Sequence, residues 1–200
     1  MPRPGLVHLL AAVLVLLPLA SGPAEAARKE LDVADQPGYV PTSKDEILPP
    51  EYRRQPVFFR TSEAVGTIVI HADERFLYLV IGPNRAMRYA IGVGRDGFQW
   101  QGLLKISRKQ EWPDWRPPAE MIQRQPYLPR FMAGGPGNPL GARALYLGDT
   151  VYRIHGTNQP RTIGHAVSSG CFRLVNPDVI DLYDRVPVGT KVIVRQRAQL

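Results

Sequence analysis

The protein has 200 residues, a formal net charge of +7 at pH 7 and a single cysteine. One cysteine excludes a disulfide within the chain, and without clustered histidines a zinc site or other metal cofactor is not expected. The positive charge comes without a basic helix, an RNA-binding motif or an aromatic platform, so nucleic acid is not an expected partner. The charge itself is compatible with solubility or with attraction to anionic polymers.

Residues 1–26 have the pattern of a secretory signal peptide. Positive charge precedes an apolar run, and Ala24-Glu25-Ala26 fits the small-x-small rule for cleavage. The run is short and is interrupted by Pro18, so a cleaved leader is predicted and an uncleaved anchor is the alternative. The mature protein is therefore expected to be exported, to the periplasm or cell envelope, with no stable membrane span.

Residues 27–64 are polar and proline-rich, which predicts an extended lead-in before one domain at residues 65–196. The chain has 20 prolines and 18 glycines, a composition that favours turns and a mainly β domain over long helices. Short runs of β-forming residues between turn residues predict the individual strands. They cover residues 67–71, 76–81, 86–93, 102–108, 142–147, 151–155 and 191–195.

Two short helices are predicted, at residues 119–125 and 176–184. The second begins with Asn176 as a favoured N-cap, a proline at the first helical position and Asp178 in the first turn. Asp178 and Asp181 are interpreted as part of a helix start with a solvated face. The alternative, a pair of catalytic carboxylates, is not favoured.

Residues 111–141 have no regular period and are rich in tryptophan, proline and glycine. A long irregular loop inside a compact domain is usually functional or mobile, so this segment is predicted to be an insert that covers the active site. Its aromatic residues are candidate substrate walls, with ordinary packing as the alternative. They are Trp112, Trp115, Tyr127 and Phe131.

The stretch from residue 154 to residue 176 contains the residues best suited to catalysis. Cys171 is a candidate nucleophile, and a thiol needs a nearby base because only the thiolate is a good nucleophile. His155, predicted at a strand end, is the preferred base, with His165 as the competitor. Gly170 and Ser169 precede the cysteine in a predicted tight turn whose backbone N–H groups suit an oxyanion hole. Arg173 is predicted on the thiol's side of the chain, where it suits a substrate carboxylate.

These residues also carry a family resemblance. The order His155-Gly156-Thr157, then Ser168-Ser169-Gly170-Cys171-Phe172-Arg173, resembles the YkuD-type L,D-transpeptidase domain of bacterial wall enzymes, over roughly residues 65 to 195. Many members carry a histidine directly before the Gly-Cys pair, where this sequence has Ser169, so a second imidazole is absent. The resemblance implies a YkuD-like mixed sheet or β-sandwich with a long loop covering the site.

The resemblance further implies a cysteine acyltransferase that acts on peptidoglycan stem peptides. Cys171 would be the nucleophile and His155 the base, while Gly170, Ser169, Gly156 and Arg173 would bind substrate or the oxyanion. The acyl acceptor is implied to be an amine on a second stem, or on a wall-attached protein, and carbapenems are implied to acylate the thiol. A hydrolytic enzyme of the same fold and a non-catalytic wall-binding module remain alternatives, whereas thiol redox chemistry lacks a resolving cysteine.

Overall fold

A computed structural model of the protein describes Met1 and residues 37–196. The predicted signal peptide, apart from Met1, and the first part of the lead-in lie outside these residues. The strands are β1 Gln55–Phe58, β2 Ile68–His71, β3 Phe76–Gly82, β4 Arg85–Ala90, β5 Val93–Gly94, β6 Gly102–Glu111, β7 Arg143–Leu147, β8 Arg153–His155, β9 Ala166–Ser168, β10 Phe172–Arg173 and β11 Lys191–Arg195. The α-helices are α1 Ala119–Arg124 and α2 Asn176–Arg185.

Nine of the strands form one mixed sheet, and β5 pairs separately with β9. The sheet order is β1-β4-β3-β2-β11-β6-β7-β8-β10. Neighbours are antiparallel except β2–β11 and β8–β10, and β5–β9 is also parallel. The predicted mainly β fold with a mixed sheet and two short helices is therefore confirmed.

The main core lies between the sheet and α2. Val179 and Leu182, one turn apart on the helix, are fully buried, as are Leu145 on β7 and Ile154 on β8. This i, i+3 spacing gives α2 one apolar face, which packs against the strands that carry the candidate site. Among the described residues, no helix has both the length and the apolar character needed to cross a membrane.

The described part of the lead-in, residues 37–64, contributes a strand to the sheet. Strand β1 pairs antiparallel with β4, and Val57 and Phe59 pack on a second cluster that contains fully buried Val69. Phe59 stacks on Tyr78 with ring centroids 4.4 Å apart. Both faces of β2 and β3 are therefore covered by packed residues, whereas Phe58 of β1 is 77% exposed.

Three further predictions are corrected. The predicted strand 86–93 is split into β4 and β5, because the chain turns at Gly92 to meet β10. Asn176 is not the N-cap of α2; Val175 holds that position, without a side-chain cap. Asp178 is buried rather than solvated, and its carboxylate lies 3.6 Å from Arg54 of the lead-in.

Candidate active site

Strands β8 and β10 bring His155, Cys171 and Arg173 to one cavity. The two strands are parallel, with Arg173 opposite His155 and Phe172 opposite Ile154. Because side chains alternate along a strand, Ile154 and Phe172 enter the core while the other three residues line a cavity of about 70 Å³. The histidine and the cysteine, 16 positions apart in the chain, are thus brought to one cavity by one short parallel pairing.

Cys171 is a half-exposed free thiol at the end of a tight turn. The hydroxyl of Ser168 donates to the Cys171 carbonyl at 2.6 Å and accepts from the Gly170 N–H at 3.2 Å. Gly170 has a φ of 102°, in the region that favours glycine. The Gly170 amide, which suited an oxyanion hole in the sequence, therefore donates within the turn to Ser168.

An aromatic stack supports this turn from behind. Trp100 donates from its indole nitrogen to the Gly170 carbonyl at 2.8 Å, and its ring stacks on Tyr152 with centroids 4.5 Å apart. A Cβ added at Gly170 would lie 2.7 Å from the Tyr152 ring. The position of the thiol is thus determined by close packing as well as by hydrogen bonds.

His155 is buried, with 3% of its surface exposed. Its Nδ1 lies 2.5 Å from the Gly156 carbonyl, which can only accept, so Nδ1 carries the proton and Nε2 keeps its lone pair. Burial is the largest influence on its pKa and lowers it, and the charges of Arg173 and Arg153 lower it further. The Gly156 and Leu140 carbonyls oppose this by accepting hydrogen bonds from the ring. The result is a pKa of about 3. In the free protein the ring is therefore neutral at physiological pH, the form in which it can accept a proton.

Gly156 occupies a different place from the one predicted. Its amide donates to the Arg143 carbonyl at 2.9 Å and it does not line the cavity, so it contributes through its carbonyl on His155. Asn176 packs against this turn: its side-chain oxygen accepts from the Ala142 amide at 2.9 Å and would collide with a Cβ placed on Gly156. The Asn176 amide group donates to Glu46 at 2.8 Å, which links the lead-in to the turn that holds His155.

Arg173 is 6% exposed and lines the same cavity as the thiol. Its backbone exchanges two hydrogen bonds of 2.9 Å with Gly92, and the next amide, of Leu174, donates to the His155 carbonyl at 2.9 Å. A Cβ at Gly92 would lie 2.9 Å from the Thr162 carbonyl, so a side chain there would disturb this bridge. Arg173 is therefore held on both sides at the cavity floor.

The insert forms one wall of the cavity, but mostly with residues other than those predicted. Trp115 lines it together with Met121 and Leu140, and all three are buried. Arg124 on α1 contacts the hydroxyl of Ser169, a cavity residue, at 3.5 Å. Of the other candidate walls none lines the cavity; Trp112, Tyr127 and Phe131 are 41%, 62% and 44% exposed.

His165, the competing base, lies in a different place. It is exposed and lines a second cavity of about 410 Å³, between the lead-in and the segment that joins His155 to β9. Cys171 is not among the residues that line this second cavity. The structure thus brings His155, and not His165, to the cavity of the thiol.

Several residues that shape the site were missed by sequence reasoning. Trp100 and Asn176 act on residues far away in the chain, so no local pattern marks their contacts. Arg153 lines the cavity two residues before His155, and strand alternation could have placed it there. Ser168 belongs to the motif named from the sequence, but its two hydrogen bonds within the turn were not predicted.

A family model for the YkuD L,D-transpeptidase catalytic domain matches residues 66–194. The chain is 37% identical over 162 residues to the probable L,D-transpeptidase ErfK/SrfK of Escherichia coli K12, a match that covers 77% of this chain and 50% of the relative. It thus spans about half the length of that relative.

Two solved structures also match. One, named a probable carnitine operon oxidoreductase and taken from Brucella melitensis, is 52% identical with a TM-score of 0.50, covering 76% of this chain and 99% of that one. The other, L,D-transpeptidase 3 from Mycobacterium tuberculosis with a faropenem-derived adduct, is 13% identical with a TM-score of 0.50, over 66% and 60% of the two chains, and bears on the fold alone. The family match covers both strands that carry the cavity, and the chain belongs to the YkuD family of L,D-transpeptidase catalytic domains.

Proposed function

We propose that the protein is an exported cysteine acyltransferase that performs L,D-transpeptidation on peptidoglycan stem peptides. The observation that carries this proposal is the convergence of Cys171, His155 and Arg173 on one cavity, in a chain of the YkuD family. The proposed export to the periplasm or cell envelope rests on the leader pattern. The proposed acceptor, a stem or a wall-attached protein, rests on the family resemblance.

In the first half-reaction, His155 takes the thiol proton through Nε2 and the sulfur of Cys171 attacks the carbonyl that follows the L-centre of the diamino acid. The tetrahedral oxyanion accepts hydrogen bonds from the Cys171 amide and the Ser169 hydroxyl, and Arg173 binds a substrate carboxylate. The imidazolium then protonates the leaving amine, D-alanine departs, and a thioester remains on Cys171.

In the second half-reaction an amine of a second stem attacks the thioester. His155 removes one proton from that amine, the carbon–sulfur bond breaks, and the proton returns to the sulfur. The free enzyme is restored and a new amide bond joins the two stems. Water in place of the amine would give hydrolysis and a trimmed stem, which is the alternative outcome at the same site.

The proposal predicts the products of a tetrapeptide stem incubated with the mature protein, with Cys171→Ala as control. Mass spectrometry should find released D-alanine and a cross-linked dimer with the wild type and neither with the variant. A trimmed stem without dimer would assign hydrolysis. If a folded, reduced wild type releases no D-alanine and gains no mass from a carbapenem, the protein is a binding module instead.

The name of the Brucella melitensis protein raises oxidoreductase chemistry as a second candidate. A thiol–disulfide cycle inside one chain needs two cysteines, whereas this sequence has one. Such a cycle would therefore require a thiol partner from outside the chain. The product experiment distinguishes the two, because acyl transfer releases D-alanine and a redox cycle does not.

A further inference from the structure

Arg153 is a charged residue of the cavity to which no role has yet been assigned. It lies two residues before His155 on β8, and it faces the same side of the sheet. Its Nη1 donates to the Val151 carbonyl at 3.1 Å, and the sulfur of Cys171 lies 3.8 Å from that same oxygen. The guanidinium and the nucleophile thus meet at one carbonyl group.

The charge of Arg153 is not neutralised within the described part of the chain. No carboxylate of residues 37–196 forms an ion pair with it, and its buried Nε has no hydrogen-bond partner among them. A guanidinium has five N–H donors in a planar fork that matches a carboxylate. A buried donor without a partner is costly, so it is a position where a ligand oxygen would be stabilised.

The neighbours of Arg153 hold the guanidinium in place. Arg153 is opposite Tyr146 in the β7–β8 register, and its guanidinium carbon lies 5.2 Å from the centroid of that ring. Arg108 of β6 lies over the same ring at 3.7 Å. Stacking on an aromatic ring restricts the arginine without consuming its in-plane donors.

Arg153 and Arg173 differ in depth. Arg173 is almost fully buried at the cavity floor, whereas Arg153 is partly exposed at the rim, next to the thiol. A donor peptide entering the cavity would therefore meet two separate guanidiniums, one deeply buried and one partly exposed. A donor with two carboxylates near the scissile bond could pair with both guanidiniums, whereas a donor with one carboxylate would pair with only one of them.

We propose that Arg153 binds a carboxylate on the diamino-acid side chain of the donor stem. The preferred donor would then carry a diaminopimelate-type residue rather than lysine at that position. This inference rests on the proposed function for the identity of the donor, and it makes Arg153 a specificity-determining residue separate from Arg173.

The test compares three donor peptides that differ only at the diamino acid: one with the free side-chain carboxylate, one with the corresponding carboxamide, and one with lysine. Binding is measured by calorimetry to the Cys171→Ala protein, so the result does not depend on turnover. We expect the free acid to bind about 10-fold to 100-fold more tightly than the other two. In Cys171→Ala/Arg153→Met the ratio should fall to about one.

The controls separate a binding role from a structural one. Arg108→Met removes a guanidinium from the same tyrosine ring at a residue that does not line the cavity, and it should keep the preference for the acid. Arg153→Lys should keep part of it, which covers the case in which Arg153→Met fails to fold. Equal binding of the three peptides to the parent, or an unchanged ratio in folded Arg153→Met, would overturn the inference.

Failure of the proposed function gives a different result. A wild type that prefers the free acid in binding but releases no D-alanine from it would overturn acyl transfer and leave the role of Arg153 supported. A wild type that releases D-alanine equally from acid, carboxamide and lysine donors would support acyl transfer and overturn the role of Arg153.

Discussion

The two cavities border the same segment, residues 156–170, yet differ in what their walls can do. The smaller, of about 70 Å³, has a thiol, a neutral imidazole and two guanidiniums among the groups that line it. The larger, of about 410 Å³, is lined mainly by apolar residues and prolines, together with Asp45, Gln159, Arg161 and His165. The carboxylate that lines it, Asp45, is engaged locally, because the amide and hydroxyl of Thr42 each donate to it at 2.7 Å.

The candidate site is therefore recognised by the reactive groups that line one cavity, and not by the volume of that cavity. A catalytic group must come close to the proton it transfers, and the pairing of β8 with β10 brings His155 and Cys171 to one cavity. The larger cavity results from the lead-in passing over the short 3-10 turn at residues 160–162, which stabilises the fold without bringing a nucleophile to a base.

The sharpest test uses the two histidines, one in each cavity. His155→Gln should slow acylation of Cys171 by about 10²-fold to 10⁴-fold, because it removes the proposed general base. His165→Gln should change the rate less than about twofold, as expected for an exposed residue outside the site. Stopped-flow or intact-mass kinetics with a carbapenem measures both, and a larger loss in His165→Gln would reverse the assignment.

Two glycines give a second matched pair. Gly170 (φ 102°) packs against Tyr152 beside the thiol, and Gly164 (φ 84°) packs against Tyr52 beside the larger cavity. Substitution by alanine at either position should destabilise the protein by roughly 1 to 3 kcal/mol, because both conformations are unfavourable for a residue with a Cβ.

Only Gly170→Ala should also slow acylation, by up to about 100-fold, since it displaces the nucleophile. Urea denaturation and acylation rates, measured on the same preparations below the unfolding transition, separate the two effects. Equal losses of rate in both variants would contradict the division between the cavities.

Asp178 provides a pH-dependent test on the lead-in side. Burial, and the nearby charge of Asp181, raise its pKa to about 6 against the effect of Arg54. The native state therefore binds the proton more tightly than the unfolded chain, so the stability contributed by this group is present below pH 4 and is lost as pH rises through about 6.

Asp178→Asn should accordingly raise the free energy of unfolding at pH 7.5, by an amount on the order of 1 to 3 kcal/mol. Arg54 would keep Asp181 as a partner at 3.2 Å. Urea denaturation at pH 7.5 and pH 4 checks this, with the gain expected to vanish at the lower pH. A variant that is less stable than the wild type at pH 7.5 would show that the charged form is favoured.

The smallest expected effect concerns the link between the lead-in and the site. Glu46→Ala removes the acceptor for Asn176 and should cost about 1 kcal/mol of stability, with a loss of acylation rate of only a few fold. Glu46→Gln retains an acceptor oxygen and should restore most of both. If Glu46→Ala leaves the rate unchanged while it destabilises the protein, the bond to Asn176 does not position His155.

Local sequence patterns predicted much of the fold. Alternating β-forming residues and turn residues located β2, β3, β6, β7 and β11 closely, and a Pro-rich start located α1. The motif around Cys171 contains both members of the proposed pair, which line one cavity. The strand and helix predictions are confirmed because hydrophobic period and turn chemistry are properties of a few adjacent residues.

The amino-acid sequence by itself thus determined the mainly β class and the candidate nucleophile and base. Only the tertiary structure decided that β1 joins the sheet, that Asn176 binds Glu46 and the Ala142 amide instead of capping a helix, and that Asp178 is buried. It also decided which histidine shares a cavity with Cys171, and that Arg153 lies there as well. The physical reason is that these contacts join residues far apart in the chain, whose proximity depends on strand pairing and packing rather than on any local preference.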